Sequence, residues 1–339
     1  MFGLFLGIIS GKIVTVASQA AILVVHQTSP YVSAYPWASG FGSKYSDPGT
    51  GLTSSGVAGA FSPSGTDVAL GESNSPYIHT YPWGPGFGSQ YSDPGTSPGN
   101  YVKGIQWSPS GSDIAFTSGS SPFILAFPWS AGFGSKYSDP STLPPNIGNN
   151  VAWSPDGSNI AVVHFDSPYV SVYAWSSGFG SKYSDPGTAV AGTGNSVKFS
   201  PSGGDIAIAH DTSPRISVYP WSSGFGSKYS DPSTLPANNC DSVDWSPAGA
   251  DIAVAHATAP YVSAYPWSSG FGSKYSNPST AIPSTGRAVA WSAAGTDIAV
   301  AHNALPYVSV YTWSSGFGSK YSDPGTAVAG IGRAVTFTP

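Results

Sequence analysis

Short segments of alternating apolar and polar residues recur along the chain, four to a unit, with turn-forming residues between them. In the fifth unit these segments are Ser196–Ser200, Asp205–His210, Arg215–Trp221 and Gly226–Ser230. They are rich in β-branched and aromatic side chains, and they alternate with the two-residue period of a β-strand. No stretch places apolar residues at helical spacing. The pattern therefore predicts an all-β protein with almost no helix.

The units have a fixed length. A tryptophan marks the third segment of each unit, and every consecutive pair of these tryptophans is 46 residues apart. The seven tryptophans are Trp37, Trp83, Trp129, Trp175, Trp221, Trp267 and Trp313. A unit of this size cannot bury its apolar face alone, so neighbouring units must stack. Four antiparallel strands in each of seven stacked units predict a seven-bladed β-propeller.

The turns between the first and second segments support this fold. They have the pattern Ser-Pro-x-Gly, as at Ser154–Gly157. Proline presets φ at the first central position of a turn, and glycine accepts a positive φ two residues later. These turns therefore predict tight hairpins between antiparallel strands.

The chain begins and ends within a blade. Ala21–His26 has the pattern of a second strand, whereas Ala334–Phe337 has that of a first strand. We expect the C-terminal strand to pair into the N-terminal blade, which closes the ring and removes exposed sheet edges. The propeller is then predicted to span residues 18–339. Because Lys12–Val16 is a competing first strand, residues 1–17 are predicted to form an apolar extension that lies on an outer edge or adds as a strand to a neighbour.

The amino-acid composition indicates which partners and covalent links to expect. Charged residues make up 9% of the chain and the net charge is −5, without a basic run, so nucleic acid is not an expected partner. The single cysteine, Cys240, excludes an intrachain disulfide. The apolar start, Met1–Ile9, is far shorter than the roughly 20 residues of a membrane-spanning helix, so no membrane span is predicted.

One segment of each unit resembles a known class of propellers. Ser154–Val162 reads Ser-Pro-Asp-Gly followed by a strand containing Ile-Ala-Val. It is similar to the blade signature of TolB-type and Trp-Asp-repeat-like propellers, and the resemblance covers residues 12–339. The rest of the unit, Tyr-Pro-Trp-Ser-Ser-Gly-Phe-Gly-Ser-Lys-Tyr-Ser-Asp-Pro, is similar to repeat arrays in proteins of tailed phages and environmental bacteria. The Trp-Asp dipeptide itself is missing, so the resemblance does not imply eukaryotic scaffold roles.

Two sets of repeated side chains are candidate ligand-binding residues. The seven tryptophans either pack between blades or form a shallow aromatic groove that stacks on sugar rings. A lysine in the predicted fourth strand either blocks edge-to-edge pairing or contributes to a ring of cationic contacts for an acidic or glycan surface. These lysines are Lys44, Lys136, Lys182, Lys228, Lys274 and Lys320.

The repeat gives little support for catalysis or metal binding. A histidine ends the second strand of five units, and we expect it to hydrogen-bond an aspartate that follows the fourth strand. Equivalent histidines in blades about 10 Å apart cannot share a metal, whose ligands lie about 2 Å away. Glu72 is the only glutamate, which excludes a glutamate pair. Residues that break the repeat, such as Lys103 and Asp244, fall in different units and suggest no catalytic triad. The sequence therefore predicts no catalytic residue, no metal and no cofactor.

The resulting functional prediction is a non-enzymatic structural or display propeller in a virion or extracellular setting. It would assemble by self-association or with another structural protein. The alternative is a lectin-like module, in which repeated aromatic grooves bind a polysaccharide by multivalent contacts.

Overall fold

The protein is a seven-bladed, all-β propeller, as predicted. The computed structural model describes residues 20–339, and the predicted extension 1–17 lies outside the described residues. The described chain forms 24 strands in seven antiparallel sheets and contains no helix. We number the sheets as blades 1 to 7 in the order in which the chain enters them.

Blade 1 contains both ends of the described chain. Its strands are β1 (Ala21–His26), β2 (Val32–Pro36) and β24 (Gly332–Phe337). Ile22 lies opposite Phe337 in the ladder, and Val24 lies opposite Val335. The backbone N–H of Ala21 also donates a hydrogen bond to Oγ1 of Thr338, at 3.0 Å. The predicted closure of the ring by the C-terminal strand is therefore confirmed.

The other six blades follow in chain order. Blades 2 to 4 contain β3 (Gly56–Phe61), β4 (Asp67–Glu72), β5 (Ile78–Gly84) and β6 (Gly86–Phe87); β7 (Ile105–Trp107), β8 (Asp113–Thr117) and β9 (Ile124–Pro128); and β10 (Gly148–Trp153), β11 (Asn159–His164), β12 (Val170–Trp175) and β13 (Phe179–Lys182). Blades 5 to 7 contain β14 (Gly194–Phe199), β15 (Asp205–His210) and β16 (Ile216–Pro220); β17 (Cys240–Trp245), β18 (Asp251–His256) and β19 (Val262–Pro266); and β20 (Gly286–Trp291), β21 (Asp297–His302), β22 (Val308–Trp313) and β23 (Phe317–Lys320).

The predicted fourth strand is present in only three blades. In blade 5 the segment Gly226–Ser230 follows β16 without forming a continuous ladder. The N–H of Gly226 donates to the carbonyl of Pro220 at 2.8 Å, and that of Tyr229 donates to the carbonyl of Val218 at 3.0 Å. The bonds are few because Pro220 has no N–H to donate to this ladder. Ala174 and Thr312 occupy the same position in blades 4 and 7, which form the four-residue strands β13 and β23. Each blade therefore has three or four strands rather than four throughout.

The core lies between blades. One apolar cluster joins Val163 and Val172 of blade 4 to Phe199 and Trp221 of blade 5. Six further clusters of the same kind join the other neighbouring pairs. Each blade thus buries its apolar face against the next one, which is why a single 46-residue unit could not fold alone.

The first strand of each blade lines the central axis, and in six blades it begins with an irregularity that decides which residue faces the axis. In blade 5, Gly194 lies opposite His210 and Ser196 lies opposite Ala209, so Asn195 is an extra residue in the ladder. A β-carbon on Gly194 would lie 2.5 Å from the carbonyl oxygen of Tyr169 in the preceding blade. Glycine permits this close approach of the preceding blade. The same β-bulge occurs in six of the seven sheets.

Candidate functional site

The bulge residue of six blades and Lys103, at the equivalent position of blade 3, line a cavity of about 250 Å³ at one mouth of the central channel. We call these seven residues the axial ring; they are Val57, Lys103, Asn149, Asn195, Asp241, Arg287 and Arg333. They recur every 46 residues, as the tryptophans do, but their chemistry differs from blade to blade. At about 30 Å³ for each water in the liquid, the cavity holds roughly eight waters, which is the space of a small metabolite.

Hydrogen bonds to the neighbouring blade fix one arc of the axial ring. Nζ of Lys103 donates to Oδ1 of Asn149 at 3.0 Å. Nδ2 of Asn149 donates to the carbonyl of Gly194 at 2.9 Å, and Nδ2 of Asn195 donates to the carbonyl of Cys240 at 3.0 Å. Each of these side chains is therefore held by the blade that follows it, which limits its motion.

A carboxylate and two guanidinium groups form the other arc. Arg287 donates to Oδ2 of Asp241 at 2.8 Å, and its Nε donates to Oδ1 of Asn303 at 2.9 Å. Arg333 donates to Oε1 of Gln27 at 3.3 Å. Burial raises the pKa of Asp241, although the hydrogen bond and charge of Arg287 oppose the shift. Asp241 is consequently a stronger base than an exposed aspartate.

The axial ring carries net positive charge although the whole chain has a net charge of −5. Lys103, Arg287 and Arg333 supply three cations, and Asp241 supplies the only carboxylate of the ring. Cations gathered in a concave, partly desolvated site favour an anionic ligand or a negative charge that develops during a reaction.

The channel continues below the axial ring as a space of about 290 Å³ with a second group of polar side chains. Nζ of Lys198 lies 3.6 Å from Oδ1 of Asp244. The N–H of Trp153 donates to Oε1 of Gln106 at 2.7 Å, and that of Trp291 donates to Oδ2 of Asp244 at 3.1 Å. Gln106 and Asp244 thus accept hydrogen bonds from the neighbouring inner strands, which gives these side chains a structural role.

Two larger concavities, each of about 700 Å³, lie on the outer rim and are open to solvent. Repeated residues of the glycine-rich segments line them, such as Phe87 in one and Phe133 in the other. Gln90 and Asp93, which line the first, hydrogen-bond to each other at 3.0 Å. Neither concavity gathers a set of charged side chains found once in the chain, which an active site requires. We therefore place the candidate site at the axial ring.

The tryptophans that the sequence marked as candidate ligand-binding residues are buried. All seven are between 4% and 8% exposed. Trp37 makes edge-to-face contacts, at centroid distances of 5.1 Å, with Phe41 of its own blade and with Tyr321 of the preceding one. The contacts are those of packing between blades. A ligand-binding role for these tryptophans stays a prediction.

The lysines marked by the sequence lie at the rim, far from the axial ring along the blade. Five of them pair with the aspartate three residues later, as Lys44 does with Asp47, and Lys274 pairs with Asn277. The carboxylates partly neutralise five of these lysines, and the neutral amide of Asn277 leaves the charge of Lys274 unbalanced. A ligand-binding role for this set also stays a prediction.

The five repeated histidines bind serine, not the expected aspartate. Nε2 of His164 lies 3.0 Å from Oγ of Ser171, and the other four blades have the same pair at 3.0 to 3.1 Å. Ser171 lies opposite Val162, two residues before His164, and so shares a sheet face with the histidine. Within residues 20–339, no group of three or more His, Cys, Asp or Glu side chains could hold a metal ion.

Sequence reasoning missed the axial ring as a group. It noted Lys103 and Asp244 as departures from the repeat but treated residues in different units as scattered. Aligning the units on their tryptophans would have shown the signal, because the position 20 residues after each tryptophan is in turn Val, Lys, Asn, Asn, Asp, Arg and Arg. Closure brings these varied positions to one axis.

Comparisons with known proteins bear on the fold. No family model matches the sequence, and no curated protein matches it either. Among solved structures, a candidate 6-phosphogluconolactonase from Bacteroides uniformis has a TM-score of 0.70 at 14% identity, covering 94% of this chain and 99% of its own. A periplasmic gluconolactonase from Pseudomonas aeruginosa has a TM-score of 0.68 at 15% identity, with 94% and 99% coverage. A protein of unknown function from Desulfotomaculum acetoxidans has a TM-score of 0.67 at 14% identity, with 94% and 98% coverage.

These neighbours overturn the functional prediction made from the sequence. A non-enzymatic structural or display propeller, with a lectin-like module as the alternative, was expected, yet two similar structures are named as gluconolactonases. The likeness at 14% to 15% identity establishes the fold alone, so an activity for this chain rests on its own site. Residues 20–339 contain no helix that could span a lipid bilayer.

Proposed function

We propose that the protein hydrolyses a small lactone, the cyclic ester of a sugar acid, at the axial ring. The observation that carries this proposal is the Asp241–Arg287 pair beside Arg333 in a concave, positively charged site. A base and cationic groups converge at the axis of a fold that candidate lactonases share.

The chemistry that these residues can perform is addition of water to an ester carbonyl. Asp241 takes a proton from a water molecule, whose oxygen attacks the carbonyl carbon. The carbonyl oxygen gains negative charge, which Arg333 stabilises. The bond from carbonyl carbon to ring oxygen then breaks, the ring oxygen takes the proton from Asp241, and the product is an open-chain hydroxy acid. Arg287 holds the carboxylate of Asp241 in place throughout.

Assays with glucono-1,5-lactone test this proposal. Proton release would be followed in weak buffer, with the spontaneous rate subtracted. We expect the wild-type chain to accelerate ring opening and Asp241→Asn to lose about 100-fold or more of the catalysed rate, since it removes a general base. Asp156→Asn is the matched control, because Asp156 lies on an exposed first-to-second-strand turn, at the opposite end of the blade from the axial ring. No acceleration by the wild-type chain, or an unchanged rate in Asp241→Asn, would rule the proposal out.

The cellular location of the protein is also part of this proposal. One similar structure is a periplasmic enzyme, which supports a periplasmic or extracellular location for this chain. The likeness to TolB-type and phage repeats, self-association and contact with a polysaccharide stay predictions from the sequence.

A further inference from the structure

Lys103 is a member of the axial ring that the proposed hydrolysis does not use. Its Nζ donates to the amide oxygen of Asn149 and lies 5.2 Å from the centroid of the Tyr101 ring. Among residues 20–339, no carboxylate forms an ion pair with it, whereas five rim lysines each pair with an aspartate. Burial lowers the pKa of Lys103, so a larger share of this amine is neutral at a given pH than of an ordinary lysine.

Neutral amines in partly desolvated sites are nucleophiles toward carbonyl carbon. The contacts to Asn149 and Tyr101 hold the amine at the cavity wall. Both contacts favour the protonated amine, so it is burial, without an ion pair to a carboxylate, that favours the neutral form. Arg287 and Arg333 line the same cavity of about 250 Å³. The site therefore combines an amine with cationic groups that can hold a carboxylate.

We propose that Lys103 is a covalent capture site for small 2-oxo acids, which it binds as imines while Arg333 holds their carboxylate. The nitrogen lone pair forms a bond to the carbonyl carbon, and the carbonyl π electrons pass to oxygen. Two protons leave nitrogen and depart with that oxygen as water, which leaves a C=N bond. No oxidant or reductant is required for this step.

This inference goes beyond the proposed hydrolysis, because it assigns a second chemistry and a different class of ligand to the cavity. The substrate of one reaction is a cyclic ester and that of the other is an open-chain carbonyl acid. Both proposals use Arg333, but their reacting groups differ: Asp241 acts on water in one, and Lys103 bonds to a carbonyl carbon in the other. One can therefore fail without the other.

Reductive trapping tests the capture site in the full-length protein. Glyoxylate and cyanoborohydride would be added near neutral pH, so that any imine is reduced to a stable carboxymethyl amine, and peptide mapping by mass spectrometry would locate it. We expect Lys103 to be modified about tenfold faster than rim lysines such as Lys44 and Lys136, because each of these is paired with an aspartate that favours its protonated form. Lys103→Arg keeps the positive charge and should lose the label at this site while the rim labelling is unchanged.

A second pair of probes separates reactivity from anion binding. Arg333→Gln should slow modification of Lys103 by glyoxylate severalfold, and it should leave modification by acetaldehyde, which has no carboxylate, unchanged. Labelling of Lys103 at the rate of the rim lysines would overturn the capture site. Equal effects of Arg333→Gln on both aldehydes would overturn the role of Arg333 in holding the carboxylate. None of these readouts uses a lactone, so they remain informative if the hydrolysis assay is negative.

Discussion

Nε2 of His79 lies 2.6 Å from Oε1 of Glu72, and both side chains are buried inside blade 2. The two residues occupy the positions that a histidine and a serine hold in five other blades. The second carboxylate oxygen of Glu72 accepts hydrogen bonds from the backbone N–H groups of Thr53 and Ser54, both at 2.8 Å. Blade 2 thus replaces the repeated neutral pair with a buried carboxylate that also secures the loop before β3.

Removal of this carboxylate should destabilise the protein strongly. We expect Glu72→Ala to lower the free energy of unfolding by about 3–5 kcal/mol, the usual cost of breaking a buried pair, as measured by denaturant titration. The matched test is the double variant Glu72→His with His79→Ser, which recreates the pair of the other blades. It should be more stable than Glu72→His alone. A double variant no more stable than that single one would show that the two positions are not coupled.

Acid should destabilise the propeller through its five buried histidines. Burial lowers the pKa of each to about 4, against 6.5 for the free side chain, although neighbouring backbone groups oppose the shift. Because the unfolded chain binds these protons more readily, their stabilising contribution is complete above pH 6.5. It is lost as the pH falls toward 4, at about 3 kcal/mol for each histidine.

The contribution of one histidine can be measured from how steeply the free energy of unfolding changes with pH. Between pH 6 and 4.5 the free energy of unfolding of the wild-type chain should fall steeply, as followed by denaturant titration at each pH. The slope of the unfolding free energy against pH should be smaller in His302→Asn, because unfolding of this variant takes up about one proton fewer. An identical slope would mean that His302 titrates normally in the folded protein.

Closure of the ring should depend on the apolar side chain of its last strand. Phe337 packs edge-to-face against Trp37 at a centroid distance of 5.5 Å and is 8% exposed. We expect Phe337→Ala to cost about 3–5 kcal/mol in unfolding free energy, as for other buried phenylalanines. Leu305→Ala, at a side chain that is 66% exposed, should change stability by less than about 0.5 kcal/mol. Equal losses in the two variants would contradict the closing role of β24.

The pH–rate profile of the proposed hydrolysis should have an acid limb that is set by the ionisation of Asp241. Its carboxylate must be ionised to act as a base, and its pKa is raised by burial. The rate should therefore fall as the pH drops through that raised pKa, at a higher pH than an exposed aspartate would give. Arg287→Gln removes the opposing charge, so the acid limb should move to still higher pH. A limb that moves to lower pH, or not at all, in Arg287→Gln would contradict the assigned base.

Much of the fold could be predicted because its signals are local and repeated. The two-residue alternation in Asp205–His210 predicted β15 to the residue, and the pairing of Ala334–Phe337 with the N-terminal blade followed from counting strands. The prediction of a fourth strand in every blade was wrong, since a proline at the end of the third strand, such as Pro220, has no N–H to donate to that ladder. The histidine partner was wrong for a different reason. Alternation shows which face a residue lies on, but not which of the polar side chains on that face it reaches.

The sequence by itself determined the number of blades, the order of their strands and the closure of the ring, because each follows from a period of two or of 46 residues. Only the tertiary structure decided where the chemistry lies. Successive members of the set Asp241, Arg287 and Arg333 are 46 residues apart in the chain, and they meet because each of their blades directs its bulge residue at the same axis. That position lines an open channel, not the apolar contact between blades, so side chains of different size and charge fit there within an otherwise regular repeat.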